Sequence, residues 1–461
     1  MAVLARLLLP EDFGIMSAFL LVANVGTIAT HWGAPTVLVR EQAISAETTN
    51  TTTTFLLLLS ALGSLIVVSL RHSIAQWLNS PELSHALLLI PLIFILRALG
   101  VVPQVMLQRS MSFRSIAIIE LSSFLVGYVI IAISLAIASQ SYWSLVIGFA
   151  SQAGLRTLLL FRVSGSRLTL ATSRTSISRI LADGRVYATG QIAHQLGQQT
   201  DTLIVATTMG AGPLGLYSRA HQLLAMPARL FSQTADKVLF TAVATIRHDT
   251  RKLHVALLSA LELTTVVFLP ASISVILLSP EIVSILLGDG WEQSIPLFRT
   301  LALGIWLQLL GLTSLAFVKA ADSPRSLAYI QIVYPGIMAT ATLLGSFWGL
   351  QGITAGVLSA IFLNSALLLT TAMRAAATPF TSLIGMGLRW ATIAAVFCLP
   401  LVIICTGQGM LPPTLARISS VLFGYLLILG VLLLTPKLIL SPRSSELFER
   451  QFRSLRFFRP R

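Results

Sequence analysis

Apolar residues along this chain fall into blocks of about 20, separated by short stretches that contain charged residues, glycine and proline. A helix of about 20 residues crosses the roughly 30 Å hydrocarbon core of a bilayer. Thirteen such blocks are recognised, at 12–31, 54–70, 85–105, 115–138, 142–161, 187–208, 213–235, 254–278, 295–318, 325–347, 350–371, 381–405 and 416–436. The pattern therefore predicts an all-α fold, a polytopic membrane helix bundle.

Composition and charge support the membrane class. Hydrophobic residues make up 55% of the chain and charged residues 10%, against about 25% charged in an ordinary soluble domain. The formal net charge is +14, but the basic residues lie mainly between and after the apolar blocks. That placement is typical of cytoplasmic loops of membrane proteins, so nucleic acid is not expected as a partner.

Lysine and arginine also predict the orientation of the chain. When alternate loops are assigned to opposite sides, one set, with its bordering helix ends and the C-terminal tail, holds 23 of the 31 basic residues and the other set holds two. Basic residues are retained on the cytoplasmic side. We therefore expect a cytoplasmic C-terminus.

A weak internal repeat suggests two similar halves. A shift of 201 residues aligns Gly14 with Gly215 and Ser17 with Ser218, and it places residues 1–9 on the end of the span at 187–208. We therefore expect a preceding helix, with 13 spans present of 14. The predicted organisation is two pseudo-symmetric lobes, 1–165 with a truncated first helix and 166–375, then two extra membrane helices at 376–440 and a basic cytoplasmic tail at 441–461.

Charged and polar side chains inside the spans are candidates for function, because a charge in the bilayer centre costs about 2.5–3.5 kcal/mol on insertion scales. His194, Gln198 and Asp201 lie on one face of the span at 187–208. Arg219, Gln222 and Arg229 do the same on the next span. Two such stripes on consecutive helices are expected to face a common hydrated cavity.

The arginines predict the kind of cargo. Guanidinium groups bind phosphate oxygens through paired, charge-assisted hydrogen bonds. The predicted substrate-binding residues are Arg219, Arg229, Gln222, Gln198, Arg97 and Arg299. An alternative for Arg97, Arg299 and Arg389 is that they extend to the membrane interface.

Asp201 and His194 form the predicted ion-coupling pair, since they lie two helical turns apart on one stripe and could respond to a proton or sodium gradient. The alternative is that Asp201 pairs with Arg219 and holds the two helices together. The histidines are dispersed and no metal or catalytic motif is found. We therefore expect a protein that is not an enzyme and has no metal or cofactor.

Three segments resemble the polysaccharide-transporter flippases of the multidrug, oligosaccharidyl-lipid and polysaccharide exporter superfamily. They are Leu4–Gly14, Leu107–Arg114, and Asp201–Ile204 followed by Gly215–Ala220. The resemblance implies a fourteen-helix, two-lobed protein of the bacterial inner membrane. It also implies alternating access for an undecaprenyl-diphosphate-linked oligosaccharide in lipopolysaccharide or exopolysaccharide synthesis, with polymerase and chain-length regulator proteins as partners.

Three alternatives remain open. A multidrug exporter of the same superfamily would favour acidic cavity residues over these arginines. A membrane-embedded polysaccharide-assembly enzyme would need a clustered catalytic site, whereas the longest outer loops hold only about 15 residues. The third alternative is a scaffold in a polysaccharide assembly complex.

Overall fold

The computed structural model describes residues 2–41, 45–166, 169–234, 239–320, 324–406 and 413–434. All regular elements in these ranges are helical, which confirms the predicted all-α fold class. The predicted basic tail at 441–461 lies outside the described residues.

The helices up to the middle of the chain are α1 Ala2–Leu7, α2 Pro10–His31, α3 Ala34–Arg40, α4 Ala46–Ser69, α5 Arg71–Trp77, α6 Leu83–Ala86, α7 Ile90–Arg109, α8 Phe113–Phe124, α9 Ile133–Ser139, α10 Trp143–Ser164, α11 Arg174–Gln198 and α12 Thr200–Met209. A π-helical stretch, Leu125–Ala132, joins α8 to α9. The remaining helices are α13 Ala211–Thr234, α14 Phe240–Thr245, α15 Thr250–Leu277, α16 Ser279–Leu286, α17 Ser294–Ala320, α18 Pro324–Ser346, α19 Gly349–Ala375, α20 Thr381–Thr406 and α21 Pro413–Leu434.

Eight described segments are long and apolar enough to cross a membrane: Pro10–His31, Ala46–Ser69, Leu83–Arg109, Phe113–Ser139, Trp143–Ser164, Thr250–Leu277, Ser294–Ala320 and Gly349–Ala375. Shorter apolar helices cover Ile332–Ser346, Ile384–Pro400 and Arg417–Val431. These helices confirm a polytopic membrane bundle, and the count of thirteen spans stays a prediction.

The helix α4 begins earlier than the apolar window at 54–70 predicted. The side chain of Ser45 accepts a hydrogen bond from the backbone N–H of Thr48, which caps the helix. Thr52 and Thr53 each donate their hydroxyl to the carbonyl four residues earlier. The polar threonines are thus satisfied within the helix itself, so they extend it by two turns beyond the apolar block.

The first of two compact units comprises Met1–Arg219 with Leu286–Trp291. Leu38, Leu56, Ala98 and Ile180 belong to one buried cluster, which joins α3, α4, α7 and α11. The first unit therefore extends past the predicted lobe boundary at 165, because α11 packs against α2, α3 and α4.

The segment before residue 187 also differs from its prediction as a loop. It is the helix α11, and the predicted single span at 187–208 is divided at Gln199 between α11 and α12. The segment is too polar to register as an apolar block, and it is helical because residues such as Ile180 are buried against neighbouring helices.

The second unit comprises Ala220–Ile285 and the described residues from Glu292 onward. Helix α17 packs against α15 and α19, while α20 packs against α15 and α21. Two ion pairs cross between these helices. Arg389 lies 2.6 Å from the buried carboxylate of Glu262, and Arg417 lies 2.7 Å from Glu281. Arg389, an expected cavity residue, therefore has a partner inside the second unit.

Candidate functional site

A polar cavity of about 340 Å³ lies between helices α2, α7, α8 and α10 of the first unit. Each helix supplies polar residues along one face, with Gln152 and Arg156 four residues apart on α10 and Arg97 and Gln104 seven apart on α7. Residues at these spacings share a helix face. The full lining is Thr27, His31, Arg97, Val101, Gln104, Glu120, Phe149, Gln152, Ala153, Arg156 and Thr157.

Arg156 is held in place by two acceptors. Its Nε and Nη2 each lie 2.7 Å from Oε1 of Glu120, and Nη2 also donates to Oε1 of Gln104 at 3.0 Å. The Glu120 side chain is 45% exposed, and that of Arg156 is 22% exposed. The carboxylate therefore holds the guanidinium in position, and both side chains keep exposed area.

Arg97 is held on one side only. Its Nη1 donates to Oδ1 of Asn24 at 3.2 Å and to Oγ1 of Thr27 at 3.0 Å. The guanidinium carbon lies 5.0 Å from the ring centre of Phe149, a distance at which a cation is attracted to the ring face. Within the described residues, Nε and Nη2 have no hydrogen-bond acceptor. Arg97 thus keeps donors for an anion, and it lies between helices instead of extending to the interface.

The charge balance of the cavity is positive, because the guanidiniums of Arg97 and Arg156 face the single carboxylate of Glu120. Buried positive charge without full compensation attracts anions, more strongly than it would in bulk water. A phosphate group has the charge and the several acceptor oxygens that such a cavity can bind.

Arg219 lies elsewhere in the first unit. Its guanidinium carbon is 4.5 Å from the ring centre of Phe13, and its buried Nε has no hydrogen-bond partner among the residues that the structure describes. Tyr128, on the π-helical stretch, interacts electrostatically with both Arg219 and Arg97. A buried tyrosine therefore lies within electrostatic reach of both arginines.

Asp201 is buried and accepts a hydrogen bond from the hydroxyl of Tyr217. The structure shows Arg219 packed on the ring of Phe13 and Asp201 bound to Tyr217, and the alternative pairing of Asp201 with Arg219 stays a prediction. Asp201 still connects α12 to α13, since Tyr217 lies on α13. The side chain of His194 lies outside the described residues, so the Asp201 and His194 coupling pair stays a prediction.

The remaining predicted residues lie at exposed positions. Gln198 is exposed on α11 of the first unit, while Gln222 and Arg229 are exposed on α13 within the second unit. Arg299, also exposed, donates from Nε to the hydroxyl of Ser279 at 2.9 Å. Their roles in substrate binding stay predictions. Of the six predicted substrate-binding residues, Arg97 lines the cavity.

Sequence reasoning missed Arg156 and His31 as site residues. Arg156 was counted with a cytoplasmic loop, whereas it lies inside α10 and lines the cavity. His31 was treated as one of several dispersed histidines. The signal that could have found both is the four-residue spacing of Gln152 with Arg156 and of Thr27 with His31. Among the described residues, no cluster of three potential metal ligands is found.

The helices form a polytopic membrane bundle whose fold is similar to that of solved membrane transporters. It matches an inward closed structure of the lipid II flippase MurJ with a TM-score of 0.73 and 14% identity, over 93% of this chain and 94% of that one. An inward-facing multidrug resistance MATE family transporter of the MOP superfamily matches with a TM-score of 0.64 and 13% identity, over 82% of this chain and 93% of that one. At these identities the likeness shows the fold.

The chain belongs to the family of polysaccharide biosynthesis proteins, which matches residues 3–296. It is 25% identical over 328 residues to the lipopolysaccharide biosynthesis protein WzxC of Escherichia coli (strain K12), covering 69% of this chain and 66% of that protein. It is 24% identical over 311 residues to the succinoglycan biosynthesis transport protein ExoT of Rhizobium meliloti (strain 1021), covering 65% of this chain and 61% of that protein. These matches span slightly less than two thirds of the relatives' lengths.

Proposed function

We propose that this protein is a flippase that carries a lipid-linked oligosaccharide, through its anionic diphosphate group, across the bacterial inner membrane. The observation that carries the proposal is Arg97, which lines a net positive cavity inside a membrane helix bundle. Two of its guanidinium nitrogens have no acceptor among the described residues. The names of WzxC, ExoT and MurJ, which refer to polysaccharide synthesis, transport and lipid flipping, support the same kind of cargo.

In this mechanism the diphosphate binds between Arg97 and Arg156, while the polyprenyl tail stays in lipid. Arg97 supplies donors that are already oriented, because Asn24 and Thr27 hold one side of its guanidinium. Arg156 exchanges part of its contact with Glu120 for the phosphate oxygens. Alternation between inward and outward states then exposes the cargo on the other side. Arg219, Arg229, Gln222, Gln198 and Arg299 keep their predicted role as further substrate-binding residues.

The charge of the cavity favours this cargo over the drugs that a multidrug exporter would carry. Two guanidiniums against one carboxylate repel organic cations, whereas they attract a diphosphate. The same proposal places the C-terminus in the cytoplasm and takes a proton or sodium gradient as the energy source. It also includes polymerase and chain-length regulator proteins as partners.

Complementation of a strain that lacks this gene tests the proposal. We expect Arg97→Gln to lower surface polysaccharide by about tenfold or more, since a hydrogen bond to a charged group contributes about 1.5–3 kcal/mol. The double variant Glu120→Gln, Arg156→Gln should do the same. Both residues are changed together so that Glu120 does not remain charged without its arginine partner. Arg162→Gln is the matched control, because Arg162 is exposed near the end of α10.

Membrane levels of each variant are measured by immunoblotting alongside the polysaccharide. Normal polysaccharide in both the Arg97 variant and the paired variant, at normal protein level, would contradict the proposed site. The multidrug exporter would be favoured instead if the Arg97→Gln variant exported a cationic dye as well as the wild type and also made normal polysaccharide.

A further inference from the structure

His31 is a buried titratable group that the mechanism above does not use. It is the last residue of α2 and it lines the cavity beside Arg97 and Arg156. Its Nε2 is buried and, within the described part of the chain, has no hydrogen-bond partner. Buried polar side-chain atoms are nearly always hydrogen-bonded. An unpartnered ring nitrogen in a polar cavity is therefore a position where a ligand atom would form the missing hydrogen bond.

The charged groups around His31 determine its protonation. Arg97 on α7 and Arg156 on α10 both interact with it electrostatically, and Glu120 on α8 is engaged by Arg156. The other described ionisable side chains on helices packed against α2 are exposed or otherwise paired. They are Glu47, His85, Arg109, Arg162, Arg174 and Arg185, which are exposed, and Asp201, which binds Tyr217. A positive charge on the imidazole would face the two guanidiniums that line the same cavity, and like charges repel.

An anion in the cavity reverses that preference. A diphosphate esterified at both ends carries two negative charges, so that together with the carboxylate of Glu120 the negative charge exceeds that of the two guanidiniums; its oxygens also accept hydrogen bonds. A protonated imidazole carries a donor on each nitrogen. The same cavity therefore favours a neutral His31 without cargo and a protonated His31 with it.

We propose that His31 is a third ligand of the anionic cargo and takes up one proton from water when that cargo binds. The lone pair of Nε2 forms an N–H bond with the incoming proton, and this N–H donates to a phosphate oxygen; no bond of the cargo is broken. The inference rests on the proposed function and deepens it. It assigns proton linkage to a residue other than Asp201 and His194.

The consequence is that cargo binding depends on pH in a definite direction. Because the complex holds one more proton than the separate partners, affinity falls as pH rises, by up to about tenfold per pH unit in the range where only the complex is protonated. Without His31 that part of the dependence disappears.

Calorimetric titration of the purified full chain with inorganic pyrophosphate tests the proposal. The titration is repeated at one pH in two buffers of different ionisation enthalpy, so that the difference in heat counts the protons taken up. We expect the wild type to take up about one proton more than His31→Gln. Pyrophosphate's own ionisation cancels in that difference. His85→Gln is the matched control, since His85 is exposed on α6, and it should match the wild type.

The outcomes separate this inference from the function on which it rests. Equal proton uptake by the wild type and His31→Gln, with pyrophosphate bound by both, overturns the role of His31 and leaves the anion site in place. Absence of pyrophosphate binding to the wild type contradicts the anion site itself. If His31→Gln is unstable, His31→Asn replaces it in the same two-buffer comparison, and equal proton uptake by His31→Asn and the wild type overturns the proposal.

Discussion

Gly14 and Gly215 lie where the starts of α2 and α13 cross in direct backbone contact. A β-carbon on Gly14 would lie 1.7 Å from the carbonyl oxygen of Ala211, and one on Gly215 would lie 1.7 Å from the carbonyl oxygen of Pro10. The 201-residue shift of the internal repeat aligns these two glycines. Equivalent positions in the two halves therefore supply the two sides of one close helix contact.

Replacing either glycine by alanine is expected to separate these helices and lower stability. The clash is with backbone, which cannot move aside as a flexible side chain can, so the cost should reach or exceed the usual 1–3 kcal/mol, roughly, of an overpacked site. The melting temperature of the purified protein in detergent measures the effect. Gly212→Ala is the matched control on α13, because a β-carbon there meets nothing within 4 Å. Equal melting temperatures for all three variants would show that the crossing is not required.

Removing the charge of Glu262 is expected to destabilise the second unit. Its carboxylate is buried and lies 2.6 Å from Nη1 of Arg389. Breaking one side of a buried ion pair costs on the order of 3 kcal/mol, because the other charge stays behind without compensation. Glu262→Gln should therefore lower the melting temperature. Glu262→Leu with Arg389→Met should recover most of the loss, and a double variant less stable than the single one would refute this explanation.

Acidification is expected to loosen the start of α15. The backbone N–H of Lys252 donates to the carboxylate of Asp249, which lowers the pKa of Asp249 below its ordinary value of 3.8. A pKa lowered in the folded state means that the cap is fully present above pH 3.8 and is lost as pH falls through the lowered value. Hydrogen exchange of the first turn of α15 measures this loss. Asp249→Asn keeps an uncharged cap and should show no such transition.

The double variant Arg219→Ala, Arg229→Ala is expected to abolish surface polysaccharide at unchanged protein level. In the described ranges the buried Nε of Arg219, over Phe13, has no hydrogen-bond partner, and the side chain of Arg229 is exposed. Guanidinium groups bind phosphate oxygens, and both arginines are predicted to contact the anionic cargo. Arg247→Ala serves as the control for loss of an exposed arginine. Normal polymer in the double variant would refute the roles assigned to both arginines.

Several features of the candidate site followed from the sequence. A charged residue inside an apolar block is expected in a polar environment, and Arg97 lies in one, in contact with residues of α2 and α10. Arg156 was not recognised because its position near the end of a span reads equally well as a cytoplasmic flank. Arg156 contacts Glu120, which is 36 residues away in the sequence. A local sequence pattern cannot predict a contact between residues that far apart.

The sequence by itself determined the membrane class, the approximate positions of the eight long apolar spans and the alignment of the two repeat glycines, because the length of an apolar block and the spacing of residues are properties of the chain alone. The tertiary structure alone decided that the polar helix α11 joins the first unit, that Asp201 binds Tyr217, and that His31, Arg97, Arg156 and Glu120 surround one cavity. These outcomes depend on which helix faces are brought together. Helix packing selects those faces through the summed burial of many residues, which no single stretch of the chain specifies.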